Sequence, residues 1–131
     1  MTGLDTNVVI RFLMQDDSRQ SAVANRVFEG LSANEPGFVA LVSIVEIEWV
    51  LSGSYGLARP QIAAALEGLL RAPEIVVENA ETVWRALRIF KGAKADFADC
   101  LIERSGAAAG CQRTLTFDVA AAKRCGMVLA A

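Results

Sequence analysis

Apolar positions along the chain switch repeatedly between short continuous runs and the spacing of an amphipathic helix, the alternation expected of an α/β domain with a parallel sheet. A strand at 2–4 leads into helical spacing over 7–14, and Val23, Val27, Phe28 and Leu31 mark one face of a second helix over 18–31. Asn34-Glu35-Pro36-Gly37 then breaks the pattern. The run from Phe38 to Leu41 or Val42 predicts a buried strand. Ser43-Ile44-Val45-Glu46 has the form of a capping box, so the following helix is expected to start there and run to Leu51.

Pro60 suits the first turn of the next helix, in which Ile62, Leu66, Leu69 and Leu70 recur at helical spacing up to Arg71. Residues 74–77 read as a strand, 81–91 as a helix with Val83, Trp84, Leu87 and Phe90 as its apolar set, and a further helix begins at Asp96 and ends in the small-residue run 106–110. A strand over 114–117 ends at Asp118; a short helix over 119–125 and a last strand over 127–130 close the pattern. The expected fold class is therefore α/β, one parallel sheet of four to five strands flanked by helices. A single domain over residues 1–131 is long enough to bury a core without disulfides.

The acids acquire meaning from this pattern. Asp5 follows the first strand, Glu46 falls in the first turn after the second, Asp96 and Asp99 open the helix after the third, and Asp118 follows the fourth. Strands of a parallel sheet share a direction, so groups just past their carboxyl ends share an edge where ligands bind. Asp96 and Asp99 share a helix face that Glu103 continues. Each acid also has a structural explanation, because acids in a first turn cap the helix and favour its dipole. Asp5, Glu46 and Asp99, however, stand among Leu4, Val45, Ile47, Ala98 and Leu101, where a lone carboxylate is costly.

Composition narrows the chemistry. The chain has no histidine, which removes Ser-His-Asp and Cys-His catalysis and every His-dependent zinc motif. Its three cysteines, Cys100, Cys111 and Cys125, show no C-x-x-C pairing and indicate neither a disulfide framework nor a zinc site. Clustered carboxylates without nitrogen or sulfur donors suit Mg²⁺, with Mn²⁺ able to substitute. The net charge of −2 argues against gripping nucleic acid by bulk charge. Although 53% of residues are hydrophobic, no apolar run reaches the roughly 18 residues of a membrane span; the longest, 38–51, is interrupted by Ser43, Glu46 and Glu48. Asp5, Asp16 and Asp17 are unlike a signal peptide, so a cytoplasmic location is expected.

Four stretches in order, Leu4-Asp5-Thr6-Asn7-Val8-Val9, Ser43-Ile44-Val45-Glu46-Ile47-Glu48-Trp49-Val50-Leu51, Ala95-Asp96-Phe97-Ala98-Asp99-Cys100-Leu101-Ile102 and Thr114-Leu115-Thr116-Phe117-Asp118, resemble those of PIN-domain proteins. Within that family the chain resembles the VapC-type toxins of toxin–antitoxin pairs. The resemblance implies a PIN-like three-layer fold and an Mg²⁺-dependent endoribonuclease that cuts RNA phosphodiester bonds with a metal-activated water. It places the catalytic, metal-holding quartet on Asp5, Glu46, Asp99 and Asp118, with Asp96 either a further ligand or only a helix cap. Thr6, Asn7 and Thr116 would hydrogen-bond and orient the carboxylates. Glu48 is a rival for Glu46, and the spacing to Trp49-Val50-Leu51 favours Glu46. The implied partners are RNA, a cognate antitoxin lying in a groove of the early helices, and a second copy in a homodimer.

Positive charge for RNA is found in Arg85, Arg88 and Lys91, spaced along one helix face that leads to Lys94, and independently in Arg11. Such a stripe is more often a solvated face. Trp49 and Trp84 read as core or interface residues. Two other classes stay open: a non-catalytic binding module with a PIN-like fold, in which the acids are caps, and a haloacid-dehalogenase-like phosphatase. The latter needs a second Asp where the chain has Asn7.

Overall fold

The computed structural model describes residues 1–131, which divide into two compact units, Met1–Glu78 and Asn79–Ala131. In the first unit, β1 (Thr2–Gly3), β2 (Gly37–Val39) and β3 (Ile75–Val77) form a parallel sheet in the order β1-β2-β3. Thr2 registers with Gly37, and Phe38 lies between Gly3 and Val76. A side chain at Gly37 would collide with Leu4, since a Cβ there would sit 2.7 Å from its Cδ1. The helices of this unit are α1 (Thr6–Met14), α2 (Ser18–Glu29), α3 (Leu41–Gly53) and α4 (Arg59–Arg71). Their buried faces supply Val9, Ile10, Ile44, Ile47, Leu51, Ile62, Leu66 and Leu69, against Val39, Ile75 and Val77 of the strands. Phe12 and Phe28 stack with ring centroids 3.8 Å apart, joining α1 to α2.

The second unit holds α5 (Ala80–Gly92), α6 (Phe97–Ala108), β4 (Leu115–Thr116), α7 (Val119–Cys125) and β5 (Val128–Leu129). Its core comprises Val83, Leu87, Phe90, Phe97, Cys100, Leu101, Ala121, Cys125 and Met127. Phe90 and Phe97 meet edge to face at 5.7 Å. Cys100 and Cys125 are free buried thiols whose Sγ atoms are 3.6 Å apart. Glu103 is buried at 9% exposure and pairs with the Arg104 guanidinium, the compensation a carboxylate in apolar surroundings requires.

Three expectations are corrected. The strands form two parallel sheets, of three strands and of two, where one sheet of four to five was expected. Pairing is confined to two or three residues per strand, too short to specify a sheet from pattern alone. The predicted capping box at Ser43 does not form, because α3 starts two residues earlier with Ala40 as its N-cap. The Leu41 amide donates instead to Glu78 Oε1 at 2.7 Å, so a carboxylate 37 positions away fulfils the cap. Ser43 is buried within the first turn, and Glu46 lies in the second turn, exposed. Finally, the strand expected over 114–117 stops at Thr116, leaving Phe117 84% exposed. No helix is long and apolar enough to cross a membrane.

Candidate active site

Three of the five acids stand where a chain leaves a strand or loop and turns into a helix, and the helix explains their placement. Asp5 is the N-cap of α1, with Oδ1 accepting from the Thr6 amide at 2.9 Å. Asp96 caps α6, with Oδ1 accepting from the Asp99 amide at 3.0 Å. Asp118 caps α7, with Oδ1 accepting from the Ala120 and Ala121 amides at 2.7 and 3.2 Å. Each cap satisfies donors that would otherwise lack partners. The capping interpretation is thus correct for these three, and it leaves the second carboxylate oxygen of each available for other work.

In the first unit Asp5 and Glu46 are connected through one residue. Buried Thr6 follows Asp5, and its hydroxyl donates to Glu46 Oε1 at 2.8 Å. Thr6 therefore ties the Glu46 carboxylate of α3 to the first residue of α1. Asn7 is exposed and lines a separate, mainly apolar cavity with Val8, Val23, Ala24 and Val27. Arg11 is engaged elsewhere: it donates to Gln20 at 2.7 Å and to the Tyr55 hydroxyl at 2.9 Å, and the Tyr55 hydroxyl donates to Asp16 at 2.7 Å.

In the second unit Asp96, Asp99 and Asp118 line one cavity of about 360 Å³ together with Lys94, Ala95, Ala120, Arg124 and Cys125. Thr116 fixes the turn into it, its hydroxyl oxygen accepting from the Asp118 amide at 3.0 Å. Asp99 is the acid whose chemistry is altered. Partial burial, followed by the charges of Asp96 and Asp118, pushes its carboxyl above the ordinary carboxylate range. Raised folded-state affinity for the proton means that Asp99 favours the fold below its unfolded value, and that this contribution is lost as pH rises through the folded value. In EDTA-treated protein we therefore expect the melting temperature of the parent to fall relative to that of Asp99→Asn as pH rises from acid toward neutral. Parallel curves across that range would mean that neither burial nor the neighbouring carboxylates raise the proton affinity of Asp99.

No group of three or more His, Cys, Asp or Glu side chains is placed so that it could hold a metal ion. The carboxylates along the cavity are mutually repulsive, and the buried Cys125 also lines it; one or two carboxylates with retained water are the usual holders of Mg²⁺ in proteins. The cations around the cavity differ from the stripe expected on α5. Arg85, Arg88 and Lys91 are all exposed, and Arg85 is paired with Glu81 at 2.7 Å. Lys94 lines the cavity, and the residue that sequence reasoning missed, Arg124, joins it there with its guanidinium donating to the Lys94 carbonyl at 2.8 Å. The only signal was its place six residues after Asp118, in the last turn of a seven-residue helix.

A family model described as PIN domain matches residues 4–126. Comparison with curated proteins and with solved structures gives no match.

Proposed function

Because the chain belongs to the PIN-domain family, a family of metal-dependent nucleases, we propose that it is an Mg²⁺-dependent endoribonuclease acting as the toxin of a toxin–antitoxin pair. The observation that carries this reading is the cavity that Asp96, Asp99 and Asp118 line together with Lys94 and Arg124, with the Asp99 carboxyl pushed up by partial burial and then by its acidic neighbours. Carboxylates to hold a cation beside cations to hold a phosphate are the minimum set for phosphodiester hydrolysis without histidine.

Asp99 and Asp118 would hold the ion, with Asp96 at the rim, and Asp5 and Glu46 are the acids of the first unit assigned to the same chemistry. When bound, the ion supplies a water of lowered pKa and offsets charge on the transition state. Lys94 and Arg124 bind the substrate phosphate, and Arg88 and Lys91 extend the positive face along α5. Asp5 or Asp99 would position the attacking water. Thr6 and Thr116 keep Glu46 and the Asp118 turn in place.

Two apolar features of the first unit favour a protein partner. One is the cavity along α1 and α2, lined by Val8, Val23 and Val27. The other is the stripe of Val42 and Trp49, seven residues apart on α3 and 67% and 71% exposed. Trp49 is thus an interface residue and not part of the core. A cognate antitoxin, and a second copy of the chain, are the proposed occupants.

The test uses purified protein and single-stranded RNA. Cleavage that requires Mg²⁺, stops with EDTA and disappears when the product of the adjacent reading frame is co-expressed and co-purified is the expected result. Absence of cleavage with Mg²⁺ and Mn²⁺ alike would support the non-catalytic alternative.

A further inference from the structure

Phe117 is the most exposed of the large hydrophobic side chains, at 84%, and it stands immediately before Asp118, which lines the acidic cavity. Its position is fixed from both sides. Thr116 belongs to β4, its hydroxyl accepts from the Asp118 amide, and Asp118 caps α7. The aromatic ring therefore projects from a tied turn. Its Cα lies one chain step, about 3.8 Å, from that of a cavity acid. Exposing a ring of this size forgoes the burial that normally recruits it, about 1.5–3 kcal/mol by transfer, and leaves its face open to a ligand.

Charge identifies the ligand. Lys94 and Arg124 line the same cavity as Asp118, and the guanidinium is anchored on the Lys94 carbonyl at 2.8 Å, so positive charge lies in the cavity whose acid directly follows Phe117 in the chain. Basic groups that follow a backbone next to an exposed aromatic face are the elements of single-strand recognition, in which bases stack on the ring without regard to sequence. The other highly exposed aromatic, Trp49, lacks this setting: α3 contains no lysine or arginine, and Val42 continues its apolar stripe. An exposed ring with cations suits a nucleic acid, and an exposed stripe without them suits a protein.

We propose that Phe117 is a stacking platform for the base adjoining the scissile phosphate of single-stranded RNA, while Lys94 and Arg124 hold that phosphate. The assignment rests on the nuclease reading for the identity of the phosphate. It makes Phe117 a positioning residue, one that acts on substrate placement and leaves the hydrolytic groups untouched.

The experiment measures binding separately from cleavage. A single-stranded RNA oligonucleotide carrying 2-aminopurine is titrated with the full chain in EDTA, where stacking quenches the fluorophore. The parent is expected to bind and quench. Phe117→Ala should bind roughly 5-fold to 100-fold more weakly, the range for loss of one base–aromatic stack, with quenching lost. Phe117→Trp should restore both, and Trp49→Ala should change neither. In Mg²⁺, Phe117→Ala should raise KM by a similar factor with a smaller change in kcat. Equal binding and quenching by Phe117→Ala and parent overturns the proposal. So does a parent that fails to bind RNA, or a parent dimer that Phe117→Ala converts to monomer without altering RNA binding. A parent that binds and quenches but never cleaves removes the nuclease reading while the stacking platform stands.

Discussion

Replacing Asp99 by Asn is expected to lower Mg²⁺-dependent RNA cleavage by more than about 100-fold, since groups that merely orient metal ligands already cost roughly 10- to 100-fold when removed. The amide keeps the size and hydrogen-bonding capacity of the carboxyl and loses its charge. Without metal, the melting temperature should hold or rise, because the substitution removes a partly buried charge that the carboxylates of Asp96 and Asp118 repel. Asp118→Asn and Glu46→Gln should behave similarly in activity, as should Asp5→Asn. Cleavage rate in Mg²⁺ and thermal melting in EDTA, measured on the same preparations, check both halves of the expectation. An amide variant that cleaves at the parental rate would eliminate that residue from the catalytic set.

The largest expected effect on stability comes from Phe97→Ala, at about 3–5 kcal/mol by the usual cost of emptying a buried aromatic site. Phe97 is fully buried, forms the first residue of α6, and meets Phe90 edge to face, so its removal opens a cavity between α5 and α6 and also forfeits an aromatic pair. For a chain of this length the loss should lower the melting temperature by roughly 10–20 °C. Phe97→Leu should retain most of the stability. Urea denaturation of both variants decides the matter: a loss under about 1 kcal/mol for the alanine variant would show that the surrounding side chains collapse into the space.

What could be read from the sequence depended on how far apart the determining residues were. Helix existence and the caps at Asp96 and Asp118 follow from local pattern, and the structure places α1, α4, α5 and α7 within a residue of their expected bounds. The start of α3 was misplaced because the whole stretch from Phe38 to Leu51 is apolar enough to be strand or helix, and the deciding contact is the distant Glu78 carboxylate. The same limit hid Arg124, whose partner Lys94 lies 30 positions earlier, and the Thr6 hydroxyl's hold on Glu46, 40 positions later. Phe117 was misread for a different reason. Thr114-Leu115-Thr116-Phe117 has strong strand propensity, yet β4 pairs with β5 over only two residues and the ring remains outside.

The capping geometry of Asp5, Asp96 and Asp118 has a consequence for how such a chain can change over generations. Asn caps a helix about as well as Asp, and a single nucleotide change converts one codon into the other. A lineage could therefore lose the anionic charge at these positions in one step while the helices still began at the same residues and the protein accumulated normally. Loss to Ala would differ, since it removes the cap as well and costs about 1 kcal/mol at each site. Descendants that lose these carboxylates and keep the fold thus lie a single nucleotide change away at each of the three caps.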